Sequence, residues 1–139
     1  MKLIYYSEGY KYQLCEDYEY QLGPEWPDVP HDWDTEYFYL DHRKLLVVKD
    51  KYAWDGPSGP TIDTKNFMRG SLVHDCLYQM IREGYLDKDQ CRILADKELY
   101  KIVRDDGMNW FRANLVYYSV RIFGNRFAWR GSITIEHAP

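Results

Sequence analysis

The chain has 139 residues, of which 45% are hydrophobic and 17% aromatic, with 14 Tyr and a formal net charge of −4. This length suits one domain, and this composition excludes a disordered chain. Residues 1–41 carry ten acids against Lys2 and Lys11, a balance of −8, whereas residues 109–139 carry four Arg against Glu136, a balance of +3. Because nucleic-acid binding needs a concentrated basic face, a nucleic-acid partner is disfavoured.

The first third of the chain predicts short strands. The segments KLIYYS, YKYQLCE, YEYQL, EYFYL and RKLLVVKD have aromatic or β-branched content with partial alternation. Between them, GPEWPDVPHDWD has three Pro and predicts a loop. We therefore expect residues 1–50 to form a small antiparallel β part, followed by a Gly/Pro loop over 51–63.

Three helices are predicted over residues 64–124, and residues 125–139 form a tail. The first helix is capped by Thr64 and ends at Gly84, the second is capped by Asp87 and ends at Gly107, and the third runs from Asn109 to Gly124. The predicted buried stripes are Phe67, Ser71, His74, Tyr78 and Ile81 on the first helix and Ile93, Asp96, Tyr100 and Val103 on the second. Strands followed by helices indicate an α+β fold, interpreted as one domain over 1–139.

The first two helices are joined by a short connection centred on Tyr85, which predicts an antiparallel hairpin. His74 lies eleven residues before Tyr85 and Asp96 eleven residues after it, so the hairpin sets them level. Each is a polar residue in an apolar stripe, and pairing removes the cost of leaving either unsatisfied. We expect a buried His74–Asp96 hydrogen bond that leaves the second ring nitrogen facing outward as a base.

Asp75 follows His74 and points about 100 degrees away from it around the helix, towards the preceding Gly/Pro loop. Carbonyls of a loop containing Gly56 and Gly59 could converge with the Asp75 carboxylate on a hard cation, with Asp55 and Asp63 as extra ligands. The alternatives stay open: a purely structural His-Asp pair, a solvated carboxylate and an ordinary turn.

No run of the sequence reaches the roughly 18 apolar residues of a membrane span, and the N-terminus lacks the apolar core of a signal peptide. The three Cys are odd in number, which argues against a disulfide framework. The sequence therefore predicts a soluble, cytoplasmic protein.

The order of a Gly-Pro loop, HDCLY on one helix and ADKELY on the next resembles phospholipase A2, in the disulfide-free form of parvovirus capsid proteins. The segments WDGPSGPTIDT, SLVHDCLYQ and VRIFG, within residues 43–124, also resemble a phage-associated family, domain of unknown function 1353. The phospholipase resemblance implies a calcium-assisted hydrolase of phospholipid or another ester. It gives His74 the role of base, lets Asp96 orient it and Tyr78 brace it, and places calcium at Asp75, Gly56 and Gly59. A viral origin would place the protein in the host cytoplasm.

Two other functions fit parts of the sequence. The acidic N-terminal part, with its Tyr cluster, is typical of a non-catalytic module that engages a host protein. An HD-type phosphohydrolase would need a second His on an upstream helix, whereas His31 and His42 lie among loop and strand residues.

Overall fold

The computed structural model describes residues 4–7, 12–54 and 65–124, and for residues 6–7 it describes the backbone alone. The described residues belong to two compact units, a β unit up to residue 54 and a helical unit from residue 65. Antiparallel sheets are followed by three helices, which confirms the predicted α+β class. The Gly56–Pro60 loop, Thr64 and the tail over 125–139 lie outside the described residues. The interpretation of the chain as one domain stays a prediction.

In the part of the β unit that the structure describes, two antiparallel sheets are present. One has the strand order β1-β2-β7 and the other β3-β6-β5-β4. The strands are β1 (Tyr6–Ser7), β2 (Tyr12–Leu14), β3 (Tyr18–Gln21), β4 (Trp33–Asp34), β5 (Phe38–Leu40), β6 (Leu45–Val48) and β7 (Ala53–Trp54).

The register of the larger sheet explains its buried face. Phe38 lies opposite Val48 and Leu40 opposite Leu46, and all four side chains are buried. Because successive side chains point to opposite faces of a strand, this pairing puts one apolar row on one side of the sheet. That row is the buried face of the larger sheet.

Two of the strands are not predicted by the sequence. β4 ends the Pro-rich segment that predicts a loop and pairs with β5, with Trp33 opposite Leu40. β7 falls in the segment predicted as a Gly/Pro loop and pairs with β2, with Tyr12 opposite Trp54. The loop predictions are wrong at these residues because pairing with a distant strand outweighs local composition.

The helices are α1 (Lys65–Arg82), α2 (Lys88–Asp105) and α3 (Trp110–Phe123). Asp87 and Asn109 cap α2 and α3 by accepting from the backbone N–H groups of Gln90 and Arg112. Gly84 and Gly107 follow α1 and α2 with φ of 87° and 100°, a backbone conformation that suits glycine. The predicted ends at Gly84 and Gly107, the cap at Asp87 and the start near Asn109 are therefore confirmed, and the cap at Thr64 stays a prediction. No helix in the described ranges is long and apolar enough to span a membrane.

α1 and α2 form the expected antiparallel hairpin. Near its open end, Arg69 on α1 makes an ion pair of 2.9 Å with Asp106, directly after α2. The predicted stripe of α1 is buried along its whole length. The predicted stripe of α2 is wrong at Ile93, which is 36% exposed, because the buried face of α2 centres on Ala95 and Leu99. Ile93 lies two residues from Ala95, about 200 degrees around the helix.

All three helices share one apolar cluster. Its buried members are Phe67, Leu99, Val103, Met108, Ala113 and Val116. Gly70 lies beside this cluster, where a Cβ atom would come within 2.8 Å of Val103 Cγ1 and 2.9 Å of Leu99 Cδ1. The absence of a side chain at Gly70 therefore sets how closely α1 approaches α2.

We predict that Gly70→Val lowers the free energy of unfolding by about 1–3 kcal/mol, because the added side chain overpacks the contact with α2. Urea denaturation monitored by circular dichroism measures the change. Lys101→Val, at an exposed position of α2, is the matched control and should change stability by no more than about 0.5 kcal/mol. Equal effects of the two substitutions would contradict the close approach at Gly70.

Candidate functional site

The site is built around one buried carboxylate, that of Asp96 on α2, which has no solvent exposure. His74 on α1 places its Nε2 atom 2.7 Å from Asp96 Oδ1, and the Tyr78 hydroxyl donates to the same oxygen at 2.6 Å. Arg121 on α3 donates from Nη1 to Asp96 Oδ2 at 2.8 Å. The predicted His74–Asp96 hydrogen bond is therefore confirmed, and each helix contributes to the site.

Helical spacing brings His74 and Tyr78 to the same oxygen. They are four residues apart on α1, so they lie on one face, and their ring centroids are 4.2 Å apart. The Tyr78 hydroxyl lies close to the end of α3, where a Cβ atom on Gly124 would be 2.7 Å from it. Tyr78 thus braces Asp96 from the side where α3 ends.

Arg121 is the residue of this site that the sequence reasoning missed. α3 carries no acidic residue, and Arg121 stands among apolar neighbours in VRIFG. A carboxylate predicted to be buried needs a cationic partner or several donors, and that requirement was the available signal. Arg92 on α2 holds the same end of α3, since its Nη2 donates to the carbonyl oxygens of Val120 and Arg121 at 3.0 and 2.7 Å.

The contacts around Asp96 keep it ionised. Burial alone raises the pKa of a carboxyl group, but hydrogen bonds from His74, Tyr78 and Arg121 outweigh burial and hold the pKa of Asp96 below its usual range. Burial also raises the pKa of Tyr78, so its hydroxyl stays protonated and acts as a donor. The site therefore holds a negative charge against three donors.

His74 lies between two carboxylates. Burial lowers its pKa, but the interactions with Asp75 and Asp96 outweigh burial and raise the pKa above the ordinary 6.5. Nδ1 lies 3.9 Å from Asp75 Oδ1, beyond hydrogen-bond length. The residue is only 7% exposed. The second ring nitrogen, Nδ1, therefore lies on the side of Asp75, whose side chain is 39% exposed.

The predicted metal ligands are only partly placed. Asp75 is half-exposed at the edge of the site, while Gly56 and Gly59 lie outside the described residues, as do Asp55 and Asp63. Among residues 4–7, 12–54 and 65–124, no group of three His, Cys, Asp or Glu side chains is arranged to hold a metal. The described donors therefore do not make up a calcium site, and the calcium assignment stays a prediction.

The two buried thiols are held in the protonated form at neutral pH. Cys76 and Cys91 are free and buried. Burial raises the pKa of the Cys76 thiol, and it raises that of Cys91 to about 11. Since the thiolate is the reactive form, both side chains behave as small apolar groups of the helical core.

The residues expected for an HD-type site lie in the other unit. His42 follows β5 and its Nδ1 lies 3.3 Å from Asp32 Oδ1 in an exposed pair. His31 lies against Trp33 in a tilted arrangement, with ring centroids 4.1 Å apart. Neither stands on a helix, so the helical arrangement that an HD-type site requires does not form at these residues.

The fold and the site together define an α+β protein with a buried His-Asp pair on a helix hairpin. No protein-family model, curated protein or solved structure matches this chain. The resemblances to phospholipase A2 and to the phage-associated family therefore remain predictions from the sequence.

The raised pKa of His74 makes the stability of the helical unit depend on pH. A group whose pKa is higher in the folded state contributes stability that is fully present below its unfolded pKa, about 6.5, and is lost as the pH rises through the folded pKa. We predict that the wild type exceeds His74→Gln in free energy of unfolding at about pH 6, and that this advantage shrinks towards about pH 9.

Urea denaturation of both proteins across that pH range measures the difference. His74→Gln keeps a side-chain donor but cannot gain a proton, so the pH-dependent part of the difference belongs to His74. A difference that stays constant, or grows as the pH rises, would show that the His74 pKa is not raised in the folded protein.

Proposed function

We propose that the helical unit is a phospholipase A2-like site that hydrolyses an ester, with His74 as general base, Asp96 and Tyr78 as its positioning residues, and Arg121 as a further positioning residue. The observation that supports this proposal is that His74 bonds to Asp96 through Nε2 and not through Nδ1. Nε2 makes that hydrogen bond, so neutral His74 carries its proton on Nε2 and its lone pair on Nδ1. That lone pair is directed away from Asp96.

The chemistry follows from this tautomer. A water molecule on the Asp75 side gives one proton to Nδ1 while its oxygen bonds to the ester carbonyl carbon. When the tetrahedral intermediate collapses, the carbon–oxygen bond to the leaving group breaks, and the alkoxide takes the proton back from Nδ1. Asp96 stays ionised throughout and offsets the positive charge that His74 carries between the two steps.

Arg121 and Tyr78 support this role by holding Asp96 in place. Both oxygens of the carboxylate are occupied, Oδ1 by His74 and Tyr78 and Oδ2 by Arg121. A carboxylate fixed in this way fixes the direction of the His74 Nε2–H bond, and with it the direction of the Nδ1 lone pair. Positioning of the base is therefore built into the packing of three helices.

The proposal includes calcium at Asp75 as the phospholipase resemblance implies, where the ion would supply a Lewis acid for the ester carbonyl. A phospholipid is the substrate class that this resemblance favours. The resemblance to a phage-associated family supports a phage-type protein that acts in the host cytoplasm.

We predict ester hydrolysis by the purified chain that rises with pH through the folded pKa of His74, because the base must be neutral. A chromogenic thioester phospholipid in mixed micelles, with added calcium or with a chelator, provides the assay. His74→Ala should lower kcat/KM by about 10²–10⁴-fold, as expected for loss of a general base. Asp75→Asn should raise the calcium concentration needed for half-maximal rate.

Lys101→Ala, at an exposed position of α2, is the control that should leave the rate unchanged. Circular dichroism of each variant confirms that it is folded. A wild type without activity on phospholipid or simple esters, or a rate indifferent to His74→Ala, contradicts the proposed hydrolase. A rate that is insensitive to the chelator but still depends on His74 would contradict the calcium site and support His74 as the base.

A second candidate function is supported by one observation in the β unit. An open cleft of about 560 Å³ is lined by Cys15, Glu16, Asp17, Glu19 and Asp50. Four carboxylates around one shallow, open depression form a local acidic surface that suits a basic segment of another protein. These residues support the second candidate function, a non-catalytic module that engages a host protein through its acidic, Tyr-rich face.

We predict that a fluorescent Lys/Arg-rich peptide binds the purified chain more weakly as salt is raised, because exposed charges are screened. Charge reversal of Glu16, Asp17 and Glu19 to Lys should abolish the binding, whereas reversal of Glu83 at the end of α1 should not. Fluorescence anisotropy gives both dissociation constants. If the peptide binds the Glu16, Asp17 and Glu19 variant as tightly as the Glu83 variant, these acidic residues are not the docking surface.

A further inference from the structure

α3 presents two apolar faces, and among the described helices only the inner one is packed. The inner face carries Ala113, Val116 and Val120, of which the first two are buried in the shared cluster and the third packs against it. The outer face carries large apolar side chains that are 49–69% exposed, namely Phe111, Leu115, Tyr118 and Ile122, with Trp110 and Phe123 at its ends. A helix that is apolar on opposite faces is typical of a helix covered on both.

The spacing of the outer face is that of a seam between two helices. Phe111, Leu115, Tyr118 and Ile122 follow one another at intervals of four, three and four residues. This alternation keeps a stripe of side chains directed at a neighbouring helix along its length. The inner-face residues lie two positions away, about 200 degrees around the helix, so the seam points away from the core.

We propose that the outer face is the interface of a homodimer, in which α3 packs antiparallel against α3 of a second copy. A two-fold axis between positions 115 and 118 sets Leu115 against Tyr118 of the second copy and Phe111 against Ile122 of the second copy. Each aromatic side chain then meets an aliphatic one. A two-fold interface requires a surface complementary to itself, and this stripe meets that requirement.

The exposed area is sufficient for such an interface. Large apolar and aromatic side chains exposed to this extent present on the order of 100 Å² each, so the six residues of one copy contribute roughly 600 Å² and two copies roughly 1,200 Å². That total reaches the lower bound of stable protein–protein interfaces.

Antiparallel packing places Arg112 near Arg121 of the second copy at each end of the interface. Arg121 is paired with Asp96 within its own chain, which reduces the repulsion between the two cations.

The experiment is analytical ultracentrifugation of the full chain over a range of concentrations. The expected result is a species of twice the 16.8 kDa chain mass that dissociates on dilution. Leu115→Glu and Tyr118→Lys should each weaken the dimer by on the order of 30-fold or more, whereas Lys101→Glu on α2 should not. Circular dichroism confirms that the variants are folded.

Mixing the two variants provides the sharper test. In the antiparallel pair, Glu introduced at position 115 of one chain meets Lys introduced at position 118 of the other, so a mixture of the two proteins should recover a dimer that neither forms alone. No recovery despite a wild-type dimer overturns the antiparallel pairing. A wild type that stays monomeric overturns the proposed dimer interface. If that monomer floats with anionic phosphatidylglycerol vesicles, the outer face binds a membrane surface instead.

Discussion

The helical unit depends on how the charge of Asp96 is satisfied. A carboxylate without any exposure would be costly in an apolar core, and here His74, Tyr78 and Arg121 reach it from both sides. Because α1 supplies two of these donors and α3 supplies one, the position of each helix relative to α2 is tied to a single side chain. The contact of Gly70 with Val103 and Leu99 lets α1 approach closely enough for this arrangement.

The same arrangement sets two demands on His74 in opposite directions. The carboxylates of Asp75 and Asp96 raise its pKa and so favour the imidazolium, whereas a general base must be neutral. A site held together by these charges is most stable in the protonation state in which it cannot accept a proton. In the proposed hydrolase, bound calcium beside Asp75 would offset part of that carboxylate's influence on His74 and move the pKa towards the useful range.

The sequence was sufficient for the features that depend on local chemistry. Helix ends at Gly84 and Gly107, the cap at Asp87 and the pairing of His74 with Asp96 all follow from short-range rules or from counting outward from Tyr85. Features that depend on distant partners were missed. β4 and β7 form because other strands offer them hydrogen bonds, Ile93 is exposed because α2 is rotated from its apparent stripe, and Arg121 acquires its role only when α3 is packed. The sequence also does not reveal that the outer face of α3 is exposed, because hydrophobic periodicity does not distinguish a buried face from an exposed one.

The sharing of Asp96 among three side chains also limits how this protein can change over evolutionary time. Replacing Asp96 by an apolar residue leaves the Arg121 guanidinium and the His74 imidazole without their hydrogen-bond acceptor. Losing any one donor leaves the buried carboxylate with one hydrogen bond fewer. Energetic effects at residues in one network are not additive, so a variant that is harmful alone becomes acceptable only after its partners have altered. Related chains should therefore either keep His74, Tyr78, Asp96 and Arg121 as a set or have exchanged them together.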